Sequence, residues 1–514
     1  MLKCDIKNDT KIIILLFTIV FIIFVFSSDG HRYTSDEDWA QLQSIRIATL
    51  TPHPLWEEGK TRTLFEYPEI YPPQFRTGNI CTNAILCSPA TVGHSLTEVP
   101  FLLINNSFGI ISESTLNWTI DDFRDPHYVM WRNSINPNFT FLELFYGPFF
   151  SSISITIFFL ICKTFKFSTK TSLILSLMFA MGTTIWSYSQ TSLNIVPATT
   201  FLLMSFLFFR KFQNENKIKY LIFSGVISGI GFLVREDMIL FIFPIFVFLL
   251  ISTIIKKIKI KYFLSYIFSV IPFYFLTQEI YKIRFGIESS QVATGASESI
   301  SMVRYINPEW IFGLLLSPGV GLFIFSPILL TCFFSFSDFF SKNKASLILL
   351  ISIISSFVLY YGSFFYWHGL VAWGNRYTVE IMAFLLLPLG ASLDKRKSRN
   401  FKIMIFVLFC LGIFFNLANI TQDVSWFVWG KPGYEIGLYS LGKATTDLYI
   451  HEATKWSFEY SQLTHSIINM IYALQPDLYL LKLFGGINFS IILATLIVPQ
   501  SWYLYRIIIK LEKS

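Results

Sequence analysis

Apolar residues occupy this chain in long runs, separated by short basic connections and three long polar stretches. The first run, Ile12 to Phe26, is close to the length of a membrane span and is preceded by Lys3, Lys7 and Lys11. Further runs at 141–162, 171–188, 194–210, 219–234, 238–255, 262–278, 311–336, 346–366, 377–393, 401–418 and 487–505 predict, with the first, about twelve membrane helices. A cleaved signal peptide would also fit the first run, but no small-residue cleavage site follows it, so a retained helix is expected.

The connections decide the sidedness. Lys163, Lys166 and Lys170, then Arg210 to Lys219, Lys256 to Lys261, Lys342 and Lys344, and Lys395 to Arg399 fall after alternate runs, and the tail adds Arg506, Lys510 and Lys513. One missed helix would scramble that alternation, so both termini and all the basic turns are assigned to the cytoplasmic face of the cell membrane. The chain then divides into an N-terminus with its first helix (1–28), an external loop (29–140), a membrane core (141–418), a second external loop (419–485), and a last helix with its tail (486–514).

Composition agrees. The 514 residues are 53% hydrophobic and 14% charged, with 56 Phe; soluble domains carry about 25% charged residues. A net charge of +7 could suggest nucleic acid, but its cations sit in the short connections, so no nucleic-acid partner is expected. Of six Cys, only Cys81 and Cys87 share a polar segment, and a disulfide there requires that segment to face an oxidising compartment. No His/Cys spacing suggests a metal, and no cofactor is expected. Sequons at Asn105, Asn117 and Asn138 fall in the first external loop. Within that loop, Val99 to Ile111 is too short to span and is expected to lie along the membrane surface.

Four stretches carry candidate chemistry. Ser35-Asp36-Glu37-Asp38-Trp39 begins about ten residues after the first helix and runs into a helix-like segment. Ser35 would cap that helix with the three carboxylates in its first turn. A carboxylate held there near bilayer depth would gain basicity by desolvation. Gly225, Gly229 and Gly231 permit close helix packing before Arg235-Glu236-Asp237. Arg235 lies at an external helix end, where it either pairs with Glu236 or Asp237 or contacts an anion. In Tyr366-Trp367-His368-Gly369-Leu370-Val371-Ala372-Trp373-Gly374-Asn375-Arg376-Tyr377 the aromatic residues fit a membrane-interface belt, which leaves Arg376 and the glycines unexplained. A guanidinium is a planar fork for phosphate, and glycine allows backbone amides close to it. Leu316-Ser317-Pro318-Gly319-Val320-Gly321 interrupts an apolar run, as backbone lining a cavity or buried in protein does.

An acidic pair followed by an aromatic residue and a helix, shortly after the first span, resembles the first external loop of the GT-C glycosyltransferases. The nearer groups are the dolichyl-phosphate-mannose protein mannosyltransferases and the bacterial aminoarabinose transferases. Trp373-Gly374-Asn375-Arg376-Tyr377 is similar to that family's Gly-x-Arg-Tyr motif, with Asn375 where many members have Pro. The resemblance implies an all-α polytopic membrane fold of GT-C type whose long first external loop carries short interfacial helices. It implies transfer of a sugar from a polyprenyl-phosphate donor to an external protein, lipid or glycan acceptor, with inversion and without a metal. Asp36 is then the first candidate base and Glu37 the second; Arg235, Asp237, His368, Trp373 and Arg376 are the substrate-binding candidates.

A transporter or lipid flippase is the competing class, since about twelve spans with both termini inside is also a transporter layout. Against it, the two halves show no repeated Gly/Pro breaks and the mid-span segments lack the buried charges that ion coupling uses. A non-catalytic membrane subunit would share the same scaffold.

Overall fold

The computed structural model describes residues 2–31, 35–49, 79–80, 86–87, 90–112, 114–115, 137–285, 305–364, 366–369, 372–395, 398–421, 452–459, 461–473 and 476–513. The chain is built from helices in the order α1 (Leu2–Phe26), α2 (Ser35–Thr49), α3 (Val92–Phe108), α4 (Pro137–Thr164), α5 (Thr169–Gly182), α6 (Ile185–Tyr188), α7 (Ile195–Glu215), α8 (Ile218–Val234), α9 (Ile239–Ile254) and α10 (Ile260–Phe285). These are followed by α11 (Pro308–Leu316), α12 (Leu322–Phe325), α13 (Thr331–Tyr361), α14 (Val379–Leu386), α15 (Leu389–Lys395), α16 (Arg399–Ile420), α17 (Glu452–Trp456), α18 (Gln462–Ala473), α19 (Tyr479–Phe484) and α20 (Gly486–Lys513). Among the described residues the single sheet is one short antiparallel pair, Asn79–Ile80 with Leu86–Cys87. Cys81 lies outside the described residues, as do Asn117 and most of both long external loops.

Nine helices among the described residues are long and apolar enough to cross a membrane, and Thr169–Gly182 and Ile218–Val234 are shorter apolar helices. The protein is a multi-pass membrane protein of all-α architecture. The expected spans 311–336 and 346–366 fall on one broken stretch. It comprises α11, the irregular Ser317–Gly321 segment, α12, a 3-10 turn at Pro327–Leu330, and α13, which departs from helical geometry at Asn343 (φ −134°, ψ 44°).

Contacts at the two ends of the bundle sort the connections. At one end the Arg210 guanidinium lies 4.0 Å from the Phe165 ring centroid and donates to Ser346 Oγ at 2.9 Å. Lys395 pairs with Asp338 at 2.9 Å, and Thr171 donates to Asp394 at 2.6 Å. The connections expected to face the cytoplasm thus share one end. At the other end, Trp186 Nε1 donates to Ser27 Oγ at 2.9 Å and Tyr479 N donates to Ser28 O at 3.0 Å, closing the exit of α1. Phe26 lies 5.2 Å from Phe489 while Lys11 reaches Tyr503, so α1 and α20 run antiparallel.

Helices α8 and α10 approach closely through small residues, Gly225 beside Tyr266 and Ser269 and Gly229 beside Phe273. The predicted surface segment belongs to α3, which is amphipathic in an unusual sense. Its buried face is polar (His94, Ser95, Glu98, Asn105), while Leu96, Leu103, Ile104 and Phe108 are exposed. An apolar outer face is what a helix lying along a bilayer presents. Asn105 sits inside this fold, donating to Asn138 Oδ1 at 2.9 Å and accepting from Ile111 N at 2.9 Å. The sequon it begins is therefore closed to modification in the folded protein.

Candidate functional site at the loop end of the bundle

Helix α2 carries the acidic stretch, and its two faces are chemically different. Asp36 is exposed, with 58% of its side chain accessible, and Glu37 is fully buried. Glu37 Oε1 accepts from Ser192 N at 3.0 Å. One and two turns later, Gln41 Nε2 donates to Ser192 Oγ at 2.9 Å and to Glu143 Oε1, while Ser44 Oγ donates to Ser95 O at 3.0 Å and to Glu98. Ser192 Oγ donates to Glu143 Oε1 at 2.9 Å. Ser192, in the connector between α6 and α7, therefore binds α2 and α4 through both its backbone and its hydroxyl.

His94 completes the arrangement from α3, with Nε2 at 2.8 Å from Ser192 O and 3.4 Å from Glu98. A carbonyl only accepts, so Nε2 carries the proton. Burial lowers the His94 pKa to about 4, against the opposing pull of the Ser192 carbonyl and Asp36. Burial likewise pushes Glu98 well above the usual carboxylate range, despite the hydrogen bond from Ser44. An unpaired buried charge would cost several kcal/mol, so neutral His94 and neutral Glu98 are the forms that fit. The polar bed holds α2 in one register, with Glu37 inward and Asp36 outward.

Asp36 Oδ2 accepts from Arg376 Nη1 at 2.8 Å. Arg376 opens a 3-10 turn (Arg376–Thr378) whose start is capped by Asn375, with Oδ1 accepting from Tyr377 N at 3.0 Å and Nδ2 donating to Trp367 O at 2.6 Å. Asn375 thus fastens the turn to the preceding segment, a use that neither proline nor an apolar residue could serve. Gly369 and Gly374 adopt φ of 80° and 61°, so the turn geometry itself requires them.

Arg235 stands behind Arg376. Its Nε donates to Asp237 at 2.5 Å, Nη1 to Asn194 at 3.2 Å and Nη2 to Tyr361 at 3.0 Å. The Tyr361 hydroxyl also donates to Asp237. Tyr361 stacks on Tyr377 (4.1 Å, 9°), and the Tyr377 centroid lies 5.9 Å from the Arg235 guanidinium and 5.5 Å from that of Arg376. Between its two sequence-level alternatives, Arg235 is engaged with Asp237, and every nitrogen of its fork has a protein partner. Glu380, fully buried 3.8 Å from Arg235 Nε, has neither carboxylate oxygen hydrogen-bonded among the described residues.

The remaining candidates divide. His368 is buried, and its pKa falls to about 3 through burial, then through the nearby charges of Lys455 and Arg376. It is a neutral imidazole at physiological pH and adds no charge to the site. Trp373 packs edge-on against Phe325 at 4.9 Å and beside Leu463, as a core residue. The site thus brings Asp36, Arg376, Arg235, Asp237 and His368 together, whereas Trp373 belongs to the neighbouring core. The side chain of Asp38 lies outside the described residues.

Sequence reading missed Ser192, Asn194, Glu143, Tyr361, Glu380 and Lys455. Two had a signal, because a carboxylate inside an apolar run is a functional candidate. Neither contradicts the expectation that the mid-span segments lack buried charge, because both lie near a helix end. Glu143 and Glu380 are fully buried in the helices Pro137–Thr164 and Arg376–Lys395, both within two turns of the loop end. One His/Asp group among the described residues has metal-ligand proximity, Asp29, His31 and Asp477, with ligand atoms within 4.8 Å of one another. Lys482 Nζ already lies 2.7 Å from Asp477 Oδ1. Burial alone would raise the Asp477 pKa, but His31 and Lys482 hold it below the usual range. This group reads as an ionic tie between the exit of α1 and α19.

The two buried groups of the polar bed pull stability in opposite directions with pH, because burial lowers the His94 pKa and raises that of Glu98. His94 has a folded pKa near 4 and an unfolded one near 6.5. Its contribution is complete above the unfolded value and is lost as pH falls from about 6.5 towards 4. Between pH 7 and 4.5 the wild type should therefore lose more thermal stability in detergent, or gain less, than His94→Asn. Equal slopes in the two proteins would refute the assignment.

Comparison with known proteins adds the following. No curated protein matches the chain. Among solved structures, ArnT from Cupriavidus metallidurans bound to undecaprenyl phosphate aligns with a TM-score of 0.46 and 12% identity, over 89% of this chain and 78% of that one. The apo form of the same protein aligns with a TM-score of 0.43 and 10% identity, over 89% and 77%. Residues 148–277 match the family model described as dolichyl-phosphate-mannose-protein mannosyltransferase, a stretch that contains Arg235 but neither the acidic loop nor the Arg376 turn.

Proposed function

We propose that this protein is a membrane glycosyltransferase that moves a sugar from a polyprenyl-phosphate carrier to an acceptor hydroxyl at the external face. The observation that carries this reading is the 2.8 Å pair between Asp36 and Arg376, an exposed carboxylate and a largely buried guanidinium at the loop end of the bundle. The family-model match over residues 148–277 supports the class of reaction and of donor.

The two side chains have separate tasks. Arg376 takes the donor phosphate; its fork matches phosphate oxygens, and a largely buried guanidinium stabilises the charge that develops on a departing phosphate more than a solvated one does. As the phosphate engages Arg376, Asp36 loses its ion-pair partner and becomes available to the acceptor hydroxyl. The hydroxyl oxygen attacks the anomeric carbon from the face opposite the phosphate and its proton passes to Asp36. The carbon–oxygen bond to phosphate breaks with its electrons, leaving polyprenyl phosphate and an inverted glycoside. Glu37 faces away from this space and holds α2 in place through Ser192. Arg235 and Asp237 brace Tyr361 and Tyr377 behind Arg376, and His368 packs alongside as a neutral group. The alternation of basic connections supports an external position for these residues, with both termini in the cytoplasm.

The test is incorporation of labelled sugar by the purified protein from a panel of polyprenyl-phosphate sugars. Asp36→Asn should lower kcat by roughly 10²–10⁴-fold, the usual contribution of a positioned base, with donor binding retained. Arg376→Ala should weaken donor binding and transfer together. Absence of transfer from every donor, combined with solute uptake into vesicles, would overturn the reading. A protein with Glu37→Gln should lose thermal stability, and any loss of activity should parallel that instability.

A further inference from the structure

We infer that the basic end of the bundle, opposite the candidate site, binds the phosphate of an anionic membrane lipid between Arg210 and the helical run that starts at Lys344. This site is independent of the transferase reading.

Arg210 lies in the last two turns of α7 and is buried, at 7% exposure. Its Nη1 donates to Gln213 Oε1 and to Ser346 Oγ, the latter at 2.9 Å, and the Phe165 ring covers the guanidinium at 4.0 Å. All three partners are neutral. Nε is buried without a hydrogen-bond partner, and Nη2 has none either among the described residues. The Nε–H and Nη2–H bonds form one edge of the planar fork, the edge that can hold two oxygens of a single phosphate. Asp338, Asp394 and Glu215 share this end of the bundle, but they bond to Lys395, Thr171 and Lys217. A ring face and two neutral oxygens only partly offset the burial of a full charge, and an anion on the remaining edge would complete the compensation.

The break in α13 adds a second positive feature at the same place. Asn343 leaves helical geometry (φ −134°, ψ 44°), so a new helical run begins at Lys344 and continues to Tyr361. The first N–H groups of a helix have no partner within it and carry partial positive charge. Ser346, which receives the Arg210 hydrogen bond, is the third residue of that run. A buried guanidinium thus abuts the positive end of a helix, and the two repel unless an anion joins them. Lys342 and Lys344 stand exposed beside the break. The surroundings favour a lipid over a free anion. Lys344 Nζ lies 5.5 Å from the Phe340 ring centroid, and Phe340, Ile348 and Ile351 are all exposed on the same helix. A cationic niche bordered by exposed apolar side chains on a membrane helix suits a head group with its acyl chains attached.

The experiment measures binding of three probes to the full chain in detergent: phosphatidylglycerol, phosphatidylcholine with the same acyl chains, and inorganic phosphate. Phosphatidylglycerol should bind saturably and more tightly than the other two. Arg210→Gln should weaken it roughly tenfold or more, the usual worth of a charge-assisted contact, and leave phosphatidylcholine unchanged. Arg210→Lys should restore only part of the affinity, because an ammonium lacks the fork. Lys344→Gln should weaken phosphatidylglycerol about fivefold, the worth of one cation near an anionic head group. Because Lys344 is exposed, that variant reads the site even where Arg210→Gln fails to fold. Arg376→Ala, at the other end of the bundle, should leave phosphatidylglycerol binding as it is, which separates this site from that of a donor lipid. Equal phosphatidylglycerol affinity in the wild type and in Lys344→Gln and the folded Arg210 variants would overturn the inference. Equal affinity for phosphatidylglycerol and phosphatidylcholine would overturn it as well. Inorganic phosphate that binds as tightly as phosphatidylglycerol, and is lost in Arg210→Gln, would overturn the lipid assignment in favour of a free anion.

Discussion

Ser192 is the point on which the loop end of this protein depends. A short amphipathic helix lying on a membrane bundle would ordinarily bury apolar residues, but α2 turns Glu37, Gln41 and Ser44 inward. Away from water those groups need partners, and leaving one unsatisfied costs about 1–3 kcal/mol. The backbone amide, carbonyl and hydroxyl of Ser192 serve Glu37, His94, Gln41 and Glu143 at once. Polar networks of this kind are directional, whereas apolar packing tolerates sliding. The register of α2 is therefore set, and with it the outward direction of Asp36. A helix held only by leucines could rotate by a residue and lose the approach to Arg376.

The opposite side of the site is organised by aromatic stacking and one guanidinium bonded through all three of its nitrogens. Arg235, Asp237 and Tyr361 form a closed set of hydrogen bonds, and the Tyr361–Tyr377 stack carries that rigidity to the turn bearing Arg376. Both halves follow the same physical logic. Most groups behind the site bond to one another, and on the loop side Asp36 and Arg376 meet at 2.8 Å. An exposed pair of this kind contributes little to stability, which suits residues whose partners change when a substrate binds.

The broken helix around Ser317-Pro318-Gly319 belongs to the same design. Interrupting a membrane helix frees backbone groups, and the bundle uses them to hold the distant α17 segment through the Lys455 carbonyl. The break looked architectural in the sequence, and among the described residues it serves as a seat for the α17 backbone.

Much of the fold was legible because the bilayer imposes a coarse and repetitive rule. Spans must be apolar over a fixed length and their cytoplasmic connections basic, so α1, α4, α7, α9, α10, α13, α16 and α20 could be read from hydropathy and lysine placement alone. The chemistry of the candidate residues was legible as well: an arginine at an external helix end and carboxylates after the first span are rare and costly. Tertiary structure decided which of them face each other. The neighbours Asp36 and Glu37 have opposite fates because successive side chains on a helix point about 100° apart. The neighbouring choices for Arg235 were resolved by Asn194 and Tyr361, 41 and 126 residues away. Lys455 carried no local signal, since a lysine in a polar loop is ordinary until a glycine elsewhere in the chain makes room for its backbone. Local sequence encodes what a segment must avoid or bury; which partner answers it is a long-range matter of packing.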